Sequence, residues 1–235
     1  MLKDKIVLVT GANRGIGKAI ADKFIENGAI VYAGVRNKID YQGKALPIIL
    51  DVCDLESIKS CVKSIKNDHG KLDVLVNNAG ITIIERFDMM KQTSLQDIYN
   101  VNVFGLINVT QTTMRLLRKS SAPCIINMSS IMASSSDVGQ SAYASSKAAV
   151  ESLTRTWSKE YVEQGFRVNA IAPGNVDTDM FNILPEDKLG EAISRIGLKR
   201  LATPEEIANV ALFLASDMSS YVTGEVINVN GGLVL

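Results

Sequence analysis

A tyrosine and a lysine four residues apart are the side chains of this sequence best suited to moving a proton. Tyr143 and Lys147 stand at positions i and i+4, so on a helix they share one face and can act on one bound molecule. A free phenol has a pKa of about 10. A neighbouring ammonium group, and the positive end of a helix opened by Gly139 and Ser141, would both favour the phenolate and lower that pKa. The alternative is a tyrosine packed against a lysine stem.

The elements that must position this pair are short apolar strands alternating with helices. Continuous apolar runs are typical of parallel strands buried on both faces. Strands are predicted over Ile6–Val9, Ile30–Val35, Pro47–Leu50, Val74–Asn77, Ile125–Met128, Arg167–Ala172 and Val226–Val229. Helices are predicted over Lys18–Asn27, Leu55–Asn67, Leu95–Arg118, a segment that carries Tyr143 and ends near Glu163, and Pro204–Ala215 with Thr203 as its N-cap. This alternation predicts an α/β fold with a doubly wound, seven-stranded parallel sheet.

A glycine-rich turn joins the first strand to the first helix. The segment Thr10-Gly11-Ala12-Asn13-Arg14-Gly15-Ile16-Gly17 lets backbone N–H groups and the positive helix end approach a phosphate closely. The alternative is an ordinary tight turn. The order strand, turn, helix favours the phosphate site.

Composition excludes several classes of partner. Lys plus Arg and Asp plus Glu each number 25, so there is no electrostatic footprint for nucleic acid or an anionic membrane. No apolar run approaches the ~20 residues of a membrane span, and the first five residues lead directly into a strand instead of a signal peptide. We expect a single cytoplasmic domain over residues 1–235 whose substrate is a small or carrier-bound molecule.

The cysteines and the histidine do not form a metal-binding pattern. Cys53, Cys61 and Cys124 lack CxxC spacing, and the only histidine, His69, stands at a predicted helix end. We expect no metal site and reduced, structural thiols.

Six motifs follow one another along the chain: Thr10-Gly11-x-x-x-Gly15-x-Gly17, Asn77-Asn78-Ala79-Gly80, Asn102, Ser130, Tyr143-x-x-x-Lys147 and Pro173-Gly174. In this order and approximate spacing they resemble the short-chain dehydrogenase/reductase family over essentially the whole chain. The resemblance implies a Rossmann-type fold with a nicotinamide dinucleotide across the carboxyl ends of the strands.

The resemblance also implies a catalytic tetrad of Asn102, Ser130, Tyr143 and Lys147. Ser130, which follows Ser129, would hydrogen-bond the reacting carbonyl oxygen while Tyr143 delivers a proton as hydride arrives. Lys147 would lower the phenol pKa and hold the nicotinamide ribose, and Asn102 would keep a relay water beside Lys147. The alternative for Asn102 is a polar residue on the outer face of a long helix.

The cofactor-binding residues implied by the resemblance are Gly11, Asn13, Arg14, Gly15, Ile16, Gly17, Arg36, Asp51, Val52, Asn78, Ala79, Gly80, Tyr143, Lys147, Pro173, Gly174, Val176 and Thr178. Asp51 and Val52 would contact the adenine ring; alternatively Asp51 or Asp54 caps the next helix. Thr178 would contact the nicotinamide carboxamide; alternatively its hydroxyl is a local cap in a loop.

Charge at the end of the second strand predicts which dinucleotide binds. Members that prefer NAD usually place an acid there, but here Val35 is followed by Arg36, and Arg14 offers a second guanidinium. We therefore expect NADPH/NADP over NADH. The alternative is that both arginines are ordinary surface residues.

Within the family, the chain most resembles 3-oxoacyl-[acyl-carrier-protein] reductases, through Asn77–Thr82 and the ending Tyr221–Gly232. It departs from them at Cys124 and Gln164, where basic residues that meet the acidic carrier are usual. Nearby cations could substitute, namely Arg118, Lys119 and Arg167. The alternatives are a ketoreductase of another pathway, acting on a sugar, polyketide or xenobiotic ketone, a non-catalytic dinucleotide sensor, and a structural domain without a ligand.

Two further segments carry expectations about substrate and assembly. A looser substrate segment at about 175–200 has apolar Met180, Phe181, Ile183 and Leu184, which suit an acyl chain or hydrophobic ketone or else pack on one another. The family commonly forms homodimers or homotetramers through its long helices and its last strand. The apolar residues compatible with such burial are Met114, Leu116, Leu117, Leu233, Val234 and Leu235.

Overall fold

Seven parallel strands form one sheet in this computed structural model, which describes residues 1–37, 41–178 and 186–233. The strands are β1 (Ile6–Thr10), β2 (Ile30–Val35), β3 (Leu46–Ile49), β4 (Val74–Asn77), β5 (Cys124–Met128), β6 (Arg167–Pro173) and β7 (Val226–Val229). Their order is β3-β2-β1-β4-β5-β6-β7. The predicted fold class is confirmed. The strand order reverses between β1 and β4, the place where open α/β sheets bind ligands.

Helices cover both faces of the sheet. They are α1 (Gly15–Glu26), α2 (Leu55–His69), α3 (Gln92–Tyr99), α4 (Leu106–Leu117), α5 (Ser141–Tyr161), α6 (Glu186–Ser194) and α7 (Pro204–Ala215). Alternate residues of β1 serve opposite faces: Val7 and Val9 pack with α1 and α7, whereas Ile6 and Leu8 pack with α2 and α4. Burial on both faces explains why the strand is apolar from Ile6 to Val9.

The long helical stretch predicted from about Leu95 to Arg118 is confirmed, but it is not a single regular α-helix. A π-helical segment, Asn100–Gly105, separates α3 from α4. Such segments insert an extra residue into an α-helix and are frequent at functional sites. Here the segment contains Asn102. It also contains Gly105, where an added Cβ would stand 2.8 Å from Cγ2 of Val52, so a larger residue would clash.

The segment expected to be irregular over 175–200 contains α6, so that expectation is wrong for Glu186–Ser194. The apolar residues Met180, Phe181, Ile183 and Leu184, like the terminal Val234 and Leu235, lie outside the described residues. The predicted cap of α7 is confirmed, because Thr203 and Glu206 form a reciprocal capping box. Within the described ranges, no helix is long and apolar enough to cross a membrane.

Candidate active site

A cavity of about 650 Å³ lies along the carboxyl edge of the sheet and spans the reversal between β1 and β4. Every residue predicted to bind the cofactor lines it, as do Ser130 and the Tyr143/Lys147 pair. The lining residues that the sequence did not single out for binding are Gly34, Val35, Asn37, Leu50, Cys53, Ile81, Val101, Met128 and Ser129. Most of them adjoin a predicted site residue in the sequence, and that adjacency is the signal that could have identified them.

The glycine-rich turn is packed too tightly for side chains. A Cβ on Gly17 would stand 2.4 Å from the Gly11 carbonyl oxygen, and Gly11 has a φ of +63°, a backbone conformation that favours glycine. The Asn78 side-chain amide donates to the carbonyls of Thr10 and Gly11, both at 3.0 Å, which fixes the turn against the end of β4. The turn therefore brings bare backbone to the cavity.

The first turn of α1 suits an anion. Among the described side chains none caps this helix, and its first turn contains no acidic residue. Its N–H groups and positive dipole end thus face the cavity beside Gly15, the arrangement that binds phosphate in dinucleotide folds. A pyrophosphate group fits this part of the site.

The far end of the cavity carries the residues expected around adenine. Asp54 caps α2 by accepting a hydrogen bond from the Glu56 backbone N–H at 2.9 Å, so the capping alternative applies to Asp54. Asp51 instead accepts from the Cys53 backbone N–H at 2.9 Å and stays on the cavity wall with Val52. The exposed Arg36 follows β2 on the same wall.

Lys147 is buried, and its ammonium group is anchored to the sheet. The side chain is 5% exposed, and Nζ donates to the Met128 carbonyl oxygen at 2.8 Å. Burial lowers the pKa of Lys147 to about 8, because the charged form loses its hydration. Nζ also lies 5.7 Å from the centre of the Tyr143 ring, so lysine and phenol face the same space.

Tyr143 lies in the first turn of α5, as predicted. The expected lowering of its pKa is wrong for this structure: burial raises the pKa of the phenol, and a hydrogen bond with Ser130 offsets part of that rise. Ser130 itself is placed at the end of β5 by a hydrogen bond that its Oγ accepts from the Met132 backbone N–H at 3.2 Å. Serine and phenol are thus paired and face one cavity.

Asn102 is 1% exposed, so the outer-face alternative is wrong. Its Oδ1 accepts from the Ile81 backbone N–H, and its Nδ2 donates to the Ile81 carbonyl, both at 2.9 Å. The same amide donates to Ser146 Oγ at 3.0 Å. A Cβ on Gly80 would stand 3.3 Å from Asn102 Oδ1 and 3.4 Å from Lys147 Nζ, so Asn102 and Lys147 flank this glycine. The relay water remains a prediction.

Thr178 makes the expected local contact and also lines the cavity, whereas its contact with the nicotinamide carboxamide remains a prediction. Its hydroxyl donates to the Val176 carbonyl oxygen at 3.3 Å, a local loop contact, and the residue lines the cavity opposite Gly15.

Within the described part of the chain, the remaining titratable side chains do not form a metal centre. Among the residues that the structure describes, no group of three or more His, Cys, Asp or Glu side chains is placed to hold a metal ion. Cys61 and Cys124 are buried thiols, whereas Cys53 is exposed on the cavity wall, so the expectation of purely structural thiols does not cover Cys53.

A doubly wound sheet, a phosphate-binding turn and a Ser-Tyr-Lys group in one cavity define the class of dinucleotide-dependent oxidoreductases. A family model described as "Enoyl-(Acyl carrier protein) reductase" matches residues 11–234. The chain belongs to the short-chain dehydrogenase/reductase family, whose members oxidise or reduce carbonyl and hydroxyl groups with a nicotinamide dinucleotide.

Curated relatives match the chain from end to end. The 3-oxoacyl-[acyl-carrier-protein] reductase FabG of Thermotoga maritima is 44% identical over 244 aligned positions, covering 100% of this chain and 99% of the relative. The protein of the same name from Aquifex aeolicus is 39% identical and covers 99% and 98% of the two chains. Among solved structures, the ligand-free aldohexose dehydrogenase of Thermoplasma acidophilum superposes with a TM-score of 0.93 at 33% identity, covering 99% of this chain and 94% of that one.

Proposed function

We propose that the protein is an NADPH-dependent ketoreductase that transfers hydride to the carbonyl of a 3-oxoacyl thioester. The observation that carries this proposal is the Ser130–Tyr143–Lys147 arrangement at the cavity wall, beside a turn built for phosphate. Relatives at 37–44% identity are named 3-oxoacyl-[acyl-carrier-protein] reductases, which supports the choice of substrate.

Ser130, Tyr143 and Lys147 have different roles in the proposed carbonyl reduction. When bound, the dinucleotide supplies the hydride. Ser130 and Tyr143 hydrogen-bond the carbonyl oxygen, and Tyr143 gives that oxygen its proton. Because burial disfavours the phenolate that remains, a nearby proton source is needed, and Lys147, with a pKa of about 8, can supply one near neutral pH.

Turnover of a 3-oxoacyl thioester tests this function. Saturable oxidation of NADPH by acetoacetyl-coenzyme A supports it. Binding of NADPH without turnover of any ketone would instead favour the dinucleotide sensor, and no saturable binding would favour a structural domain.

The preference for NADPH rests on positive charge at the end of β2. Arg36 is exposed on the cavity wall where an NAD-preferring protein usually has an acid, and Arg14 lies on the same cavity wall. A guanidinium suits the added 2′-phosphate of NADPH, since it can bind two phosphate oxygens at once.

We expect Arg36→Asp to lower kcat/KM with NADPH on the order of tenfold or more, because a charge-assisted bond is replaced by repulsion. The value with NADH should stay within about twofold. Lys63→Asp makes the same charge change on the exposed face of α2 and should leave both values unchanged. An unchanged NADPH/NADH ratio in Arg36→Asp contradicts the charge argument.

Arg118 is the nearby cation that we propose as the substitute for the basic residue usual at the Gln164 position. Arg118 is exposed, its Nε donates to Gln164 Oε1 at 3.0 Å, and its guanidinium lies 5.9 Å from the centre of the Tyr161 ring. Arg118 therefore puts a cation beside Gln164, and Lys119 adds another exposed one. Arg167 serves a structural role instead, because its guanidinium donates to the Leu214 carbonyl at 2.6 Å and to Ser219 Oγ at 2.8 Å.

The position of Arg118 favours a carrier site that involves two subunits. Arg118 contacts Tyr161 at the end of α5, whereas Tyr143 lies in its first turn. At 1.5 Å per residue these points are about 27 Å apart along the helix. A two-fold dimer that pairs the α5 helices in antiparallel fashion would bring the Arg118 end of one subunit beside Tyr143 of the other. We therefore propose a homodimer or homotetramer as the active assembly.

We expect Arg118→Glu to raise KM for a 3-oxoacyl group on acyl carrier protein on the order of tenfold, because rim charges mainly affect encounter with a charged partner. Its kcat/KM with acetoacetyl-coenzyme A should stay within about twofold of the parent. Lys63→Glu is the matched control. Equal effects of Arg118→Glu on both substrates contradict a carrier-specific role.

A sugar substrate is the second candidate, and one observation favours it. The superposable aldohexose dehydrogenase shows that this arrangement of strands also serves a protein named for a sugar. Turnover of keto-sugars in preference to 3-oxoacyl thioesters would support this alternative.

A further inference from the structure

Three consecutive residues at the end of β5 hold three consecutive turns of α5. The Met128 carbonyl oxygen accepts from Lys147 Nζ, and Ser130 is hydrogen-bonded to Tyr143. Ser129, the residue between Met128 and Ser130, donates from Oγ to Glu151 Oε1 at 3.0 Å. The helix residues in this row are spaced by four, so they share one helix face. Glu151 thus continues the row of Tyr143 and Lys147 one turn further along α5.

The Ser129–Glu151 contact is fixed on both sides. The Ser129 backbone N–H donates to the Ile171 carbonyl of β6 at 2.7 Å, which holds the serine in the sheet. The Glu151 side chain is 13% exposed, and its second oxygen accepts from Arg155 Nη2 at 3.1 Å. Ser129 Oγ also lies 3.4 Å from the Lys147 carbonyl oxygen, so the serine abuts the backbone of the catalytic turn itself.

The other two contacts in the row involve groups that also serve the reaction. Ser130 and Tyr143 must both turn to the substrate oxygen, and Lys147 must exchange a proton. Ser129 and Glu151 have no such duty in the proposed reaction, so their bond can stay in place throughout. A bond of this kind can fix the position of α5 along its axis, relative to the end of β5, while the reacting groups change hydrogen-bond partners.

We propose that Ser129 and Glu151 are a positioning pair that aligns the Tyr143 phenol with Ser130 by fixing α5 against the end of β5. This role rests on the proposed ketoreductase function. Loss of the bond lets the helix shift, and a displacement of about 1 Å between reacting groups can cost on the order of 100-fold in rate. The effect should be larger on kcat than on NADPH binding, since most residues that line the cofactor cavity, including the turn at Gly11–Gly17, lie outside α5.

The test compares four single variants with acetoacetyl-coenzyme A and NADPH. Ser129→Ala and Glu151→Ala should each lower kcat on the order of tenfold while the Kd for NADPH, measured by fluorescence, stays within about twofold. Glu151→Gln keeps an oxygen that accepts from Ser129, so it should recover most of the kcat lost in Glu151→Ala. Lys159→Ala changes an exposed residue two turns further along α5 and should keep the parent kcat.

The double variant Ser129→Ala/Glu151→Ala should be no slower than the slower single variant, because both substitutions remove the same bond. A kcat within twofold of the parent in Ser129→Ala overturns the proposal, as does a loss that appears in the NADPH Kd with kcat unchanged. If Glu151→Ala does not fold, the kcat of Ser129→Ala, which removes only one oxygen atom, is sufficient to test the proposal.

The parent protein separates this proposal from the function on which it rests. A parent that oxidises no NADPH with any ketone contradicts the proposed function and the positioning pair together. An active parent whose Ser129→Ala variant is equally active contradicts the positioning pair alone.

Discussion

Replacing Tyr143 with phenylalanine is expected to lower kcat on the order of 1,000-fold, because positioned general acids contribute between 10² and 10⁴ to rate. The ring and its packing are retained, so the Kd for NADPH should stay within about twofold. Steady-state oxidation of NADPH by acetoacetyl-coenzyme A measures kcat, and fluorescence titration measures the Kd for NADPH.

Tyr161→Phe is the matched control for this substitution. Tyr161 lies at the far end of the same helix and packs against Phe166, so loss of its hydroxyl should leave kcat unchanged. A Tyr143→Phe variant that keeps near-parental kcat would show that another group is the proton donor.

Replacing Lys147 with methionine is expected to lower kcat/KM on the order of 1,000-fold and to weaken NADPH binding, since the proton source and the expected ribose contact are both removed. The same change should stabilise the protein without cofactor at pH 7. Burial lowers the pKa of Lys147 from 10.5 to about 8, which corresponds to about 3 kcal/mol of lost hydration. Loss of the hydrogen bond to the Met128 carbonyl destabilises the variant by about 1–2 kcal/mol. We therefore expect the free energy of unfolding to increase by about 1–2 kcal/mol in total.

The size of the stability advantage of Lys147→Met depends on pH. Below pH 8 both the folded and the unfolded parent carry the Lys147 charge, so the cost of burial is present in full. Between pH 8 and 10.5 the unfolded chain binds a proton that the folded protein lacks, so stability of the parent rises with pH. The advantage of Lys147→Met in urea unfolding should therefore shrink across that window. An advantage independent of pH would contradict a lowered lysine pKa.

The sheet could be predicted from the sequence because burial on both faces leaves a simple pattern. Strands such as Ile30–Val35 and Val74–Asn77 are continuous apolar runs, and the structure places both at the predicted bounds. Most residues lining the cavity were implied by the family resemblance. The glycine-rich turn could also be predicted on physical grounds, because backbone contacts at positions such as Gly17 leave no room for a side chain.

Features that depend on contacts between distant segments could not be predicted. The π-helical segment contains Asn102, whose side chain is hydrogen-bonded to Ile81, 21 residues away, and such a contact leaves no local pattern in the sequence. The predicted direction of the Tyr143 pKa shift was wrong because burial, which the sequence does not give, raises the pKa, and the hydrogen bond with Ser130 offsets only part of that rise.

Individual side-chain contacts between distant residues could not be predicted from the sequence either. Arg118 and Gln164 are 46 residues apart, and only the packing of α4 beside the end of α5 brings them together. The Ser129–Glu151 bond likewise joins a strand end to a helix turn 22 residues later.

The most direct test of the central claim is the initial rate of NADPH oxidation by the parent and by Tyr143→Phe across acetoacetyl-coenzyme A, simple ketones and keto-sugars. The proposed function predicts the highest kcat/KM with the 3-oxoacyl thioester and loss of that activity in Tyr143→Phe. A parent that turns over keto-sugars but not the thioester, or none of these carbonyls while still binding NADPH, would contradict it.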